Sequence, residues 1–137
     1  MKYFLYIFLL FTLYSFSTSA QVKDSKIEDI DDNHVYETVD IQPEFPGGSA
    51  AMMKFISKKL RYPDQARDKG AQGTVIVQFI VERDGSITDI KIVRDPGEGL
   101  GEETRRVIQL MPKWKPGKQE DSPVRVKVSV PVRFRLS

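Results

Sequence analysis

The chain carries few side chains that could form a catalytic centre. His34 is its only histidine and it contains no cysteine. The sequence therefore predicts neither a Ser-His nucleophile nor a multi-histidine metal site, and it excludes disulfides and thiolate ligands. No pair of carboxylates stands in a recognisable pocket pattern. We expect no catalytic residue, no bound metal and no cofactor, which argues against an enzyme.

One acidic run has the beginning of a calcium-binding loop. Asp29-Ile-Asp-Asp-Asn33 supplies oxygen ligands at alternate positions. A calcium loop also needs a glycine at its sixth position and a glutamate at its twelfth, where this chain has His34 and Asp40. The run is better interpreted as part of a polar tether.

A second segment, residues 95–101, is rich in glycine and stands between a predicted strand and a predicted helix, where nucleotide-binding proteins hold phosphate. Its spacing is not G-x-G-x-x-G, and no Lys-Ser or Lys-Thr follows it. The acidic side chains in and after it would repel an anion: Asp95, Glu98, Glu102 and Glu103.

The most strongly patterned stretch of the chain is Val124–Leu136. All seven even-numbered positions are apolar. Strict alternation of this length predicts an extended strand with one apolar face and one basic face. The intervening positions are Arg125, Lys127, Ser129, Pro131, Arg133 and Arg135.

Pro131 places this strand at an edge of its sheet, because proline has no N–H for a ladder of hydrogen bonds. An edge strand can pair with another extended chain. Basic side chains along it favour an acidic or extended peptide as the partner. They do not favour nucleic acid, because few aromatic residues lie among them.

Charge is unevenly distributed along the chain. Residues 21–45 hold two Lys against eight Asp or Glu, whereas residues 46–137 carry a net charge of +7. We assign residues 21–42 to an acidic, mobile tether that precedes a basic domain, residues 43–137.

Residues 1–20 have the pattern of a secretory signal peptide. A single charge, Lys2, precedes an apolar run, and Thr18 and Ala20 stand where a signal peptidase reads small residues. We expect cleavage before Gln21 and export of the domain. The alternative is an uncleaved leader that acts as an inner-membrane anchor.

The remaining patterns predict an α+β domain in the order α-α-β-β-α-β. Ser49 would cap a helix that ends near Leu60, and Pro63 would open a short helix over residues 64–69. Residues 74–82 and 87–94 would form a hairpin, followed by a helix over residues 100–111 and an extended segment whose Trp114 fills the core.

In this arrangement helices cover one face of a three-stranded antiparallel-type sheet. Residues 74–82 are apolar on both faces, which predicts a central strand covered on two sides. The C-terminal strand then lies at one edge of the sheet, and residues 87–94 lie at the other.

Several ordered motifs resemble the TonB C-terminal domain. They are Tyr62-Pro-x-x-Ala66-x-x-x-Gly70-x-x-Gly73, Met111-Pro-Lys-Trp-Lys-Pro-Gly117 and the final Pro131-Val-Arg-Phe134. The preceding Pro43-Glu-Phe-Pro-Gly-Gly48 is similar to the opening segment of such domains in Bacteroidetes-type TonB-like energy transducers. The resemblance spans residues 43–136.

The resemblance implies a periplasmic, non-enzymatic module of energy-coupled transmembrane transport. Domains of this family bind the N-terminal TonB box of an outer-membrane receptor as a strand added to their last strand, a mode called β-augmentation. Carried over to this sequence, the main chain of residues 125–133 would be the docking edge, and Tyr62 and Pro63 would lie near the receptor. The implied partner-binding residues are Arg125, Lys127, Ser129, Val130, Pro131, Arg133, Tyr62 and Pro63.

The sequence also departs from that family. Leu60-Arg61 stands where the family has Gln-Pro before its Tyr-Pro pair, and no long Pro-rich spacer precedes the domain. Contact with inner-membrane motor proteins would need an uncleaved leader. The alternative function is a secreted structural or assembly protein that uses the same edge strand to form a homodimer or to bind another peptide, without energy transduction.

Overall fold

The computed structural model describes residues 33–137. The predicted signal peptide and most of the predicted tether lie outside these residues. The elements are β1 (Val35–Tyr36), α1 (Ser49–Lys59), α2 (Asp64–Asp68), β2 (Gly73–Val81), β3 (Ile87–Arg94), α3 (Leu100–Gln109), β4 (Gly117–Gln119) and β5 (Ser122–Phe134).

The main sheet has the order β1-β5-β2-β3, and β4 pairs with the beginning of β5. The central strand β2 runs antiparallel to both of its neighbours, β3 and β5. Consequently β3 and β5 run in the same direction on opposite sides of β2, as expected for a hairpin followed by a helical crossover. The predicted α+β class and the central position of β2 are confirmed.

One face of the sheet forms the core. Alternate residues of β2, from Val75 to Val81, are completely or almost completely buried on this face. The helices cover it with Ile56 from α1, Ala66 from α2 and Val107 from α3. Burial of this branched and aromatic surface is the main source of the domain's stability, since the chain has no disulfide.

Trp114 fills the end of this core, as predicted. The residue is 6% exposed, and its ring makes edge contacts with Phe45 and Phe79 at centroid distances of 5.9 and 5.4 Å. Edge-to-face packing of this kind suits the aromatic quadrupole. The segment after α3 therefore closes the core where the chain returns to the sheet.

The expectation that β2 is covered on both faces is wrong for the second face. Its residues Ile76 and Gln78 are partly exposed, and only Ile80 is buried there. Among the described residues no helix packs on this side. The second apolar set of β2 is shielded by neighbouring side chains of the sheet, in a shallow depression shared with Val35 and Lys127.

Other differences concern element ends and short strands. Ser49 is the first residue of α1, and the N-cap position belongs to Gly48, which offers no side-chain hydrogen bond. Over residues 33–137 the sheet contains five strands, because two short ones, β1 and β4, join the three that were predicted. Both short strands pair with β5, so the surroundings of that strand differ from the prediction.

Candidate partner-binding edge

The ladder between β5 and β2 is continuous and determines which groups of β5 point away from the sheet. It places Pro131 opposite Ile76 and Val130 opposite Val77. In an antiparallel pair, each residue directs its N–H and its C=O to the same side of the strand, and successive residues alternate between the two sides. Because Pro131 has no N–H, we infer that it belongs to the outward-facing set. The N–H groups of Lys127, Ser129 and Arg133 then also point outward.

The outward edge of β5 is occupied only near its N-terminal end. There β1 runs parallel to it, with Val35 opposite Arg125 and Tyr36 opposite Val126. The sequence predicted that at least one side of this strand lacks a full set of partners, and this holds, although β1 was not predicted to cover the first residues of that side. Beyond β1, residues 127–134 have no strand on this side within the described part of the chain.

Arg125 is already engaged by the domain itself. Its guanidinium donates to both carboxylate oxygens of Glu82, over 2.8 and 3.0 Å, and to the main-chain oxygen of Asn33 over 2.8 Å. Both side chains of the ion pair are about one-fifth exposed, at 23% and 21%. We therefore assign Arg125 a structural role in addition to its predicted place at the docking edge.

The Arg125–Glu82 pair makes stability depend on pH. Hydrogen bonding from Arg125 lowers the pKa of Glu82 below its ordinary value of 4.5, against the opposing effect of partial burial. A lowered carboxylate pKa contributes stability above the unfolded-state pKa and loses it as pH falls through the folded-state pKa.

We therefore expect Glu82→Gln to lower the free energy of unfolding by about 1 kcal/mol at neutral pH, because this pair is partly exposed and screened. The deficit should shrink as urea unfolding is measured at progressively lower pH, because protonation of Glu82 in the folded state removes its ion pair with Arg125. Glu102→Gln, at an exposed carboxylate of α3, is the control and should show no such pattern. A deficit that stays the same at low pH would show that the Arg125–Glu82 ion pair is not the source of the lost stability.

The other predicted residues of β5 divide between its two faces. Ser129, Pro131 and Arg133 are exposed on the outer face, and Lys127 is exposed beside them. Val130 points into the core and is 3% exposed, so its side chain is not available to a partner. Val130 remains part of the site only through the main chain of the strand.

A protein-family comparison identifies the domain. The family model described as "Gram-negative bacterial TonB protein C-terminal" matches residues 58–136, which is more than half of the chain. This chain belongs to the TonB C-terminal family. The match begins in α1 and includes every element from α2 to β5.

Curated relatives and solved structures come from the same family. Two proteins named "Protein TonB", from two strains of Helicobacter pylori, are 51% identical over 39 residues, which is 28% of this chain and 14% of each relative. This chain thus matches only a small part of their length.

Two solution structures of the H. pylori TonB C-terminal domain are also similar. The first is 31% identical, with 67% of this chain and 87% of that chain covered and a TM-score of 0.48. The second is 29% identical, with 62% and 89% covered and a TM-score of 0.42.

The two predicted site residues outside β5, Tyr62 and Pro63, lie where α2 begins, and Tyr62 also contacts the end of β5. The Tyr62 hydroxyl donates to the main-chain oxygen of Ala71, and its ring makes an edge contact with Phe134 at 5.6 Å. Pro63 occupies the N-cap position of α2. In this member of the TonB C-terminal family, the Tyr62 ring thus packs on the last residue of β5, while Pro63 begins α2. Contact of either residue with a receptor stays a prediction.

Sequence reasoning missed the residues that cover the beginning of the edge. Tyr36 and Val39 belong to a small apolar cluster with Val124 and Val126. His34 makes an edge contact with the Tyr36 ring at 4.5 Å. These apolar residues are scattered through an acidic segment, and that scatter was the one available signal that the segment packs on the domain.

Two further observations limit what the described residues can do. They contain no group of three or more His, Cys, Asp or Glu side chains that could hold a metal ion. Within the same range, no helix is long and apolar enough to span a bilayer.

Proposed function

We propose that this domain binds the TonB-box peptide of an outer-membrane receptor as an added strand on the outward edge of β5. The observation that carries the proposal is the stretch from Lys127 to Phe134. It is paired with β2 on one side and has no strand on the other in the described structure. Main-chain groups on such an edge bind an extended peptide, and the side chains beside them select it.

The charges along this edge favour an acidic partner. Lys127 and Arg133 are exposed on the outer face, and Ser129 between them adds a small polar side chain. Lys127 Nζ lies 3.7 Å from a carboxylate oxygen of Glu37, in a pair whose side chains are 43% and 80% exposed. An ion pair this exposed contributes little to stability, so a peptide carboxylate can replace Glu37 at little cost.

The wider role that we propose is participation in energy-coupled transport across the outer membrane, with the domain in the periplasm. Its support is membership of the TonB C-terminal family and the match to H. pylori TonB over 39 residues. Binding, and not catalysis, would be the activity of the domain. Contact with motor proteins is part of this proposal only if the leader is retained.

Site-specific crosslinking tests the docking edge. A photo-reactive residue at position 127 should capture the N-terminal segment of a receptor from the outer-membrane fraction, identified by mass spectrometry of the crosslinked peptide. The matched control carries the same residue at position 58, an exposed lysine of α1 on the other side of the domain. Capture of receptor segments with equal yield from both positions would contradict docking at β5.

A further inference from the structure

The docking edge carries a strand of the protein's own chain. Residues 35 and 36 pair parallel with Arg125 and Val126, immediately before the open stretch that begins at Lys127. A peptide added along the whole outward edge of β5 would need the same main-chain groups. The segment from Asn33 to Glu37, here called the strap, therefore stands where a longer partner strand would bind.

The polar contacts described for the strap lie at the protein surface. Arg125 Nη1 donates to the Asn33 oxygen over 2.8 Å. Lys127 forms its exposed ion pair with Glu37. The strand itself is only two residues long, and Tyr36 adds a partly buried ring over Val124 and Val126. A pairing this short is marginal in water without the support of packing.

The chain after the strap is fixed more firmly. Val39 is buried at 8% exposure against Val124 and Val126. Ile41 and Lys118 exchange two main-chain hydrogen bonds of 3.0 and 2.8 Å. Asp40 N–H donates to the side-chain oxygen of Gln119 over 3.0 Å. The strap can therefore leave β5 while residues 39–41 keep their place.

We propose that the strap is a displaceable, self-supplied ligand of the β5 edge, which competes with the partner strand. This inference rests on the proposed function, because the strap matters only if a strand docks there. With the strap bound, a partner can pair only from Lys127 onward. Its release extends the available edge back to Arg125 and frees Glu37 from Lys127.

A reversible lock tests this competition in the full chain. The chain has no cysteine, so Tyr36→Cys combined with Val126→Cys introduces a single possible disulfide between directly opposed residues of β1 and β5. Oxidation locks the strap and reduction releases it. Amide hydrogen exchange at Arg125, which lies opposite Val35, is then compared between the wild type, the oxidised variant and the reduced variant.

We expect exchange at the Arg125 amide to be at least about tenfold slower in the oxidised variant than in the wild type, because local opening of the strap limits its protection. The amide of Val130, which faces β2, is the internal control and should not change. The second measurement uses a synthetic peptide of residues 33–42 as the probe. The peptide carries a nitroxide spin label, and it should broaden the Arg125 amide resonance of the wild type and of the reduced variant and leave that of the oxidised variant unchanged.

An unchanged response to locking in either measurement would overturn the proposal. Neither measurement contains a receptor. A failure of the strap inference is therefore distinguishable from a failure of receptor docking, which the crosslinking experiment decides separately.

Discussion

Replacement of Gly85 by Ala is expected to lower the free energy of unfolding by at least about 3 kcal/mol, as for other severe backbone effects. Gly85 has a φ of +85°, and a Cβ built on it would lie 2.0 Å from the main-chain oxygen of Trp114. The Trp114 N–H also donates to the Gly85 oxygen over 2.9 Å. An alanine must therefore push away the segment that places Trp114 in the core. Urea unfolding followed by tryptophan fluorescence measures the loss.

Gly97→Ala is the matched control for this prediction. Gly97 also has a positive φ, +92°, but an added Cβ would meet nothing within 4 Å. Gly97→Ala should lower the free energy of unfolding by roughly 1–2 kcal/mol, the cost of holding an alanine in the left-handed conformation. Equal losses at the two glycines would show that the close approach to Trp114 does not matter.

The second large effect concerns the two neighbouring residues Val128 and Ser129. Val128 lies opposite Phe79 in the β2–β5 ladder, and by alternation from Pro131 its N–H points toward β2. Val128→Pro removes that donor and leaves a buried acceptor of β2 without its partner. We expect a loss of roughly 2–3 kcal/mol in unfolding free energy.

Ser129→Pro should cost less than about 1 kcal/mol, because its N–H points outward and an edge position tolerates proline. Thermal and urea unfolding of the two variants give the comparison. The reverse order of stability would show that the outward set has been assigned to the wrong residues, and would move the docking groups to the even-numbered positions.

The long patterned elements of this domain were predictable from the sequence. Strict alternation over Val124–Leu136 and the apolar run of β2 determine which faces are buried, and these two strands lie beside each other as expected. The turn at Asp84-Gly85, between the two strands of the hairpin, and the helix before Trp114 complete the predicted order of elements. Each of these patterns extends over several residues, so hydrophobic burial determines one register.

The short strands were not predictable for the same reason. A strand of two residues, such as Val35–Tyr36, has no periodicity to detect. β4 is three residues long and joins β5 through Glu120 and Asp121, both with positive φ, without the Asn-Gly or Asp-Gly pair that usually marks such a turn. Tertiary contacts with β5 create both strands.

Arg125 illustrates the limit of a site prediction based on residue type. It belongs to the basic alternation of β5 and was assigned to the partner-binding set with its neighbours. Its position opposite Val35 and its two hydrogen bonds to Glu82 follow from the fold. Residue type indicated correctly that the outer face is basic. Only the structure distinguishes the exposed cations Lys127 and Arg133 from Arg125, which is partly buried and hydrogen-bonded to Glu82.

The central claim is that a receptor strand pairs with the outward main chain of β5, and a titration with three proteins tests it most directly. The ligand is a synthetic peptide of the receptor segment that crosslinks at position 127, and the proteins are the wild type, Ser129→Ala and Ser129→Pro. Ser129→Ala keeps the main-chain N–H and should bind within about twofold of the wild type, as most surface substitutions do. Ser129→Pro, shown to be folded, should bind about tenfold or more weakly, because it loses one outward donor and crowds the edge. Equal affinity of all three folded proteins would contradict β-augmentation on this edge.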